Sequence, residues 1–194
     1  MTKIASEFGG YTASDVYLYS SDSGNADASS YTKDNLVSRY KINGSSTRYI
    51  DYKYDGLNRL TKKSFVFDST TKNSEYTYYA SNRGSGYTTT QIDTEKLDNT
   101  TYKYYYDKVG NITSVTKNSN TYRTYTYDNK NQLTKEVNST SGITTSFTYD
   151  SLGNITKKVE SGNSNKTINY SYGNGGKASW NNLLTGTDNQ GTVL

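Results

Sequence analysis

The chain has 194 residues, of which 31% are hydrophobic and 22 are Tyr, and it contains no Pro, Cys or His. Without Cys there is no disulfide framework, thiolate nucleophile or Cys-based zinc site, and without His the commonest general base and metal ligand are missing. The net charge of +4 comes from 22 basic and 18 acidic residues that are well interspersed, a charge that aids solubility and not a nucleic-acid footprint.

So little apolar surface would ordinarily leave a chain disordered. The tyrosines argue otherwise, because Tyr favours a half-buried pleated surface where the ring is covered and the hydroxyl stays wet. No apolar run approaches the ~20 residues of a membrane helix. The start, MTKIASEFGGYTASD, lacks the apolar region of a signal peptide, so the chain reads as cytoplasmic or as a piece of something longer. Residues 1–30 read as a degenerate N-terminal repeat or linker, although DVYLYSS from Asp15 alternates as a strand does.

From residue 31 to residue 194 the sequence reads as a repeat array. YTKDNLVS at Tyr31 is a weak copy, and KINGSST supplies the hairpin signal Asn43-Gly44. YKYDGLNRLTKKS follows at Tyr52, and a degenerate unit is anchored near Tyr79. YYYDKVGNITSVT, YTYDNKNQLTKEV and FTYDSLGNITKKV then begin at Tyr104, Tyr125 and Phe147. Tyr106, Tyr127 and Tyr149 are spaced by 21 and 22 residues, and Tyr172 in INYSYGN follows after 23. That makes about seven units.

Each position of the unit has a physical reading. Tyr54, Tyr106, Tyr127 and Tyr149 close strands in which aromatic residues alternate with period 2. Asp55, Asp107, Asp128 and Asp150 stand where a type I turn favours Asp. Three residues on are Asn58, Gly110, Asn131 and Gly153, the two residue types that tolerate a left-handed backbone. Leu60, Ile112, Leu133 and Ile155 open a second strand, with Val137 and Val159 read on the same face and Val115 out of phase. Polar runs at Lys117, Asn138 and Glu160 mark the opposite turn. The pattern predicts an all-β fold of tandem antiparallel hairpins, with roughly 12–14 short strands at two per unit.

These copies resemble the YD-repeat, or Rhs-repeat (rearrangement hotspot), family of bacterial proteins. YDSLGNIT, YDKVGNIT and YDGLNRLT are near-consensus copies of its motif. SYGNGGKASWNNLLTGTDNQGTVL and RGSGYTTTQID (from Arg83) resemble its longer units, so the resemblance runs from about Tyr31 to Leu194. It implies an open, curved or spiralling sheet, a segment of a hollow shell around a C-terminal effector, often a toxin, in a secreted or cell-surface protein. The implied partner is the effector domain of the same parent chain. Lacking Pro, the sequence has none of the family's Asp-Pro-x-Gly core motifs, and no effector domain follows the repeats. It therefore reads as a fragment of shell wall.

Other readings compete at each motif. No unit has the D-x-D-x-D-G spacing of a calcium loop, and one carboxylate per turn is a weak site. The Asp residues are thus read as turn formers, with no metal, no cofactor and no enzymatic activity. Aromatic faces can pack against cross-strand neighbours or offer stacking platforms. Tyr105 and Tyr122, off the main alternation, are the candidates for an exposed carbohydrate contact, and a carbohydrate-binding adhesion module is the alternative function. Lys62-Lys63 and Lys157-Lys158 read as edge protection, with glycosaminoglycan or cell-wall binding as the competing reading. The Asn-x-Thr triplets at Asn111 and Asn154 arise from the repeat itself.

Overall fold

The computed structural model describes residues 2–8, 11–19, 36–80, 88–162, 165–173 and 182–192. The chain divides into two compact units, Met1–Lys103 and Tyr104–Leu194. The first holds β1 (Thr2–Phe8), β2 (Tyr11–Tyr19), β3 (Val37–Lys41), β4 (Arg48–Tyr54), β5 (Leu60–Phe67), β6 (Thr70–Ala80) and β7 (Thr88–Leu97). β8 (Thr100–Tyr106) runs across the boundary. The second continues with β9 (Ile112–Lys117), β10 (Asn120–Tyr127), β11 (Leu133–Asn138), β12 (Ile143–Tyr149), β13 (Ile155–Ser161), β14 (Asn165–Gly173) and β15 (Leu183–Thr192). A 3-10 turn at Ile42–Gly44 joins β3 to β4, with Asn43 at φ 51°.

In the sheet the strands follow chain order from β1 to β15. The order is open and unclosed, and consecutive strands pair antiparallel within each unit. This is the all-β hairpin array that the sequence predicts. Fifteen strands form among the described residues, against roughly 12–14 expected, because β1 and β2 form before residue 31.

A recurrent bulge sets the register. In the first unit Lys53 pairs with Lys62 but Tyr54 pairs with Leu60, which leaves Thr61 as an extra residue. The same step beside Tyr19 leaves out Ser38, and beside Tyr78 it leaves out Asp93. In the second unit it recurs beside Tyr127, Tyr149 and Tyr172, leaving out Thr134, Thr156 and Thr185. One extra residue shifts side-chain parity by one, so every later residue of that strand changes face.

That shift corrects two sequence readings. Paired residues share a face, so Tyr125, Tyr127, Leu133, Phe147, Tyr149 and Ile155 form one aromatic side in the second unit. Val137 pairs with Thr124 and Thr144, and Val159 with Ser146 and Thr167, so both lie on the Thr/Ser side. Val115 pairs with Arg123, in the Tyr125 and Tyr127 alternation, and is only 6% exposed. The degenerate unit near Tyr79 is anchored by Tyr78, which pairs with Ile92 across the bulge. The weak copy at Tyr31 lies outside the described residues.

The first unit has the same two-sided character. Tyr17, Tyr40, Ile50, Tyr52 and Phe65 share one face, while Arg39, Asp51 and Ser64 share the other. On that second face Arg39 binds Asp51 and stacks 3.9 Å over the Tyr49 ring. Among the described residues Leu18 and Val115 are the buried hydrophobic side chains, and most of the aromatics are half-buried. Half-burial suits Tyr. Covering about half of a ring of ~150–250 Å² contributes on the order of 2–3 kcal/mol, with no need to dehydrate the hydroxyl fully.

Candidate functional site

The repeated Tyr-Asp turn concentrates the polar chemistry of the chain. At Asp55, Asp107, Asp128 and Asp150 the backbone N–H donates to the carbonyl four residues on, at 2.9, 2.9, 3.0 and 3.0 Å. The N–H groups of Asn58, Gly110, Asn131 and Gly153 donate back to the Asp carbonyl at 3.0, 3.2, 3.1 and 3.2 Å. Those residues have φ of 63°, 99°, 61° and 89°, which is the left-handed conformation that closes a type I turn into a bulged hairpin. Gly is the least strained residue there, and Asn tolerates it.

Each carboxylate then ties the turn from inside. One oxygen accepts the N–H of the second residue on (Leu57, Val109, Lys130, Leu152) at 2.8, 3.0, 2.8 and 2.9 Å. It also accepts the N–H of the fourth (Arg59, Asn111, Gln132, Asn154) at 3.0, 2.9, 2.9 and 2.9 Å. The other oxygen takes a side-chain donor from Arg59 at 2.7 Å, and from Asn111 and Asn154 at 2.9 Å. Burial pushes the Asp55 and Asp107 carboxyls up, but these donors outweigh it and hold both below their ordinary value. The Asn154 side chain and backbone hold Asp150 down in the same way. Adjacent turns also touch: Asn111 donates to the Asn131 amide oxygen at 3.1 Å.

Five tyrosines reach back across the sheet. Tyr54, Tyr78, Tyr127, Tyr149 and Tyr172 donate their hydroxyls to the backbone carbonyls of Val37, Leu60, Ile112, Leu133 and Ile155 at 3.0, 2.8, 2.9, 2.7 and 3.0 Å. Val37, Leu60, Leu133 and Ile155 are each the residue that the preceding bulge presents, so these tyrosines clamp their own hairpins to the ones before. Burial raises the pKa of Tyr54, Tyr78, Tyr127 and Tyr149.

Sequence reading missed a third component. The extra residue of the bulge bonds its hydroxyl to the carbonyl just before the Tyr: Ser38 to Leu18, Thr61 to Lys53, Thr134 to Thr126, Thr156 to Thr148 and Thr185 to Ser171, at 3.0 to 3.2 Å. The available signal is a Leu/Ile/Val followed by Ser/Thr, as in Val37-Ser38 and Leu184-Thr185. Ile92-Asp93 departs from it, and there Lys103 pairs with Asp93 at 2.9 Å.

The two carbohydrate candidates differ. Tyr105 is 36% exposed. Tyr122 is half-buried at an irregularity of β10, and its ring faces the Arg123 guanidinium at 5.1 Å and the Lys117 ammonium at 5.9 Å. Lys62 pairs with Glu75 at 3.0 Å, and Lys63 lies 4.5 Å over the Phe65 ring. Among the described residues no group of three or more acidic side chains is placed to hold a metal ion, and no helix is long and apolar enough to cross a membrane.

Residues 106–141 match the family model described as RHS Repeat. No curated protein matches the chain. Among solved structures, TcdB2-TccC3 without its hypervariable C-terminal region is similar over 90% of this chain, with 16% identity and a TM-score of 0.51. TcdB2-TccC3-TEV is similar over 84%, with 16% identity and a TM-score of 0.46. The chain spans 10% and 11% of the length of those two chains. The first likeness establishes a shared fold.

Proposed function

We propose that the chain is a non-enzymatic structural module, a stretch of the β-wall of a secreted or cell-surface shell that encloses or presents an effector domain of the same parent chain. Residues 31–194 are its array of about seven units, following a degenerate first repeat or linker in residues 1–30. The observation that carries this reading is the use of every Tyr-Asp carboxylate inside its own turn. A carboxylate with two or more donors is a poor base and a poor metal ligand, so the repeated group builds and does not react. The RHS Repeat match at residues 106–141 and the fold shared with TcdB2-TccC3 support the same reading.

Limited proteolysis of the parent chain tests it. A domain C-terminal to the array should survive protease while the array is intact, and be digested once the array is deleted. Equal digestion in both cases would overturn the enclosing role. A second reading, adhesion to surface carbohydrate, draws its support from the exposure of Tyr105. Glycan binding lost on Tyr105→Ala would favour it.

A further inference from the structure

On the aromatic side of the first unit, Tyr52 stands across from Lys63 and Tyr54 from Leu60. Tyr17 of β2 instead stands directly across from another tyrosine, Tyr40 of β3. Their ring centroids are 4.9 Å apart and the ring planes are tilted by 38°. That is near the close end of the roughly 4.5–7 Å that aromatic pairs adopt. Both rings are half-buried, so neither is sealed from solvent.

The pair also has a proton acceptor. The Tyr40 hydroxyl donates to the Asp15 carboxylate, and that bond above all pushes its pKa up to about 12. The Asn43 N–H donates to Asp15 Oδ1 at 3.2 Å, which helps to hold the carboxylate in place. Loss of a proton alone from Tyr40 is therefore unfavourable. Loss of an electron is different, because it turns the phenol into a strong acid. A carboxylate already bonded to the hydroxyl can take that proton as the electron leaves.

We propose that Tyr17 and Tyr40 form a site of oxidative cross-linking, where a one-electron oxidant joins the two rings by a carbon–carbon bond and staples β2 to β3. Each phenol gives up one electron and one proton, the Tyr40 proton passing to Asp15 and the Tyr17 proton to solvent. Two equivalents of the oxidant are each reduced by one electron. The two phenoxyl radicals couple at their ortho carbons. Each ortho hydrogen then shifts to the oxygen of its own ring, which restores both phenols. The chain loses two hydrogen atoms in all. With no Cys, the chain has no disulfide to tie these strands.

Treating the whole chain with a limiting dose of photo-oxidised tris(bipyridine)ruthenium, a one-electron oxidant, tests this. The main cross-link of the single-chain product should be a peptide joining Tyr17 to Tyr40, identified by mass spectrometry. In urea, where no ladder holds the rings together, the same dose should spread links over many tyrosines. Tyr40→Phe should lose most of the dityrosine fluorescence of the single-chain product, and Asp15→Asn should slow its appearance. The linked chain should melt about 5 °C or more above the unlinked one, because the bond restrains the unfolded state. A main link at other tyrosines, an equal yield of this link in urea, or undiminished fluorescence in Tyr40→Phe would overturn the site. An Asp15→Asn chain that links as fast would overturn the proton transfer, and an unshifted melting temperature would overturn the staple.

Discussion

The two units solve the same problem with different connections. In the second unit, Asp107, Asp128 and Asp150 close tight turns, and only the step from Tyr172 to Leu184 takes a longer route. Among the described residues of the first unit one Tyr-Asp turn, at Asp55, is tight, while Tyr19 reaches Val37 and Tyr78 reaches Ile92 through longer connections. Yet the bulge falls beside the tyrosine in both kinds of hairpin. The Tyr hydroxyl likewise meets the preceding hairpin's carbonyl whether its own connection is short, as at Tyr149, or long, as at Tyr78. Register is therefore set by the clamp and the bulge. The Asp turn shortens the connection between them.

Acid should separate the two kinds of hairpin most strongly. Asp55, Asp107 and Asp150 have carboxyl pKa values below their ordinary 3.8 in the folded chain. A lowered folded-state pKa contributes stability that is present above the unfolded value and lost as pH falls through the folded one. Melting temperature should thus decline below about pH 4, and the double variant Asp107→Asn/Asp150→Asn should flatten that decline. A profile with the same slope in the variant would mean that the turn carboxylates are not the groups titrating.

A smaller effect is expected from one turn alone. Gly153 has φ 89°, and an added Cβ would lie 3.2 Å from the end of the flexible Gln132 side chain. Gly153→Val should destabilise the chain by about 1–3 kcal/mol through backbone strain. Gly153→Asn should cost markedly less, since Asn58 and Asn131 already occupy the equivalent conformation. Chemical denaturation measures both, and equal losses would argue against a left-handed requirement there.

The smallest effect belongs to the bulge hydroxyl. Thr156→Val removes the bond to the Thr148 carbonyl while keeping the side chain's shape, and should cost roughly 0.5–1 kcal/mol. Thr185→Val, beside a long connection, should cost the same. A loss confined to Thr156→Val would tie the bulge to the tight turn.

Much of this was legible because Tyr, Asp and Gly/Asn each have strong local preferences and recur in phase. The bulge was not. It adds a residue without altering the composition of the Leu-Thr and Ile-Thr pairs, so a strict period of 2 carried Val137 and Val159 to the wrong face and left Val115 unexplained. Where Asp and Gly are missing, only the clamp remains, and adjacent Tyr78 and Tyr79 cannot be told apart without the partner strand.

The most direct test of the clamp is a set of Tyr→Phe variants measured by denaturant unfolding. Each removes one hydroxyl bond and keeps the ring. Tyr78→Phe and Tyr172→Phe, at long connections, should each lose about 0.5–1.5 kcal/mol, the same as Tyr127→Phe and Tyr149→Phe at tight turns. Losses at Tyr127 and Tyr149 with none at Tyr78 and Tyr172 would contradict the account and return control of the register to the Asp turn.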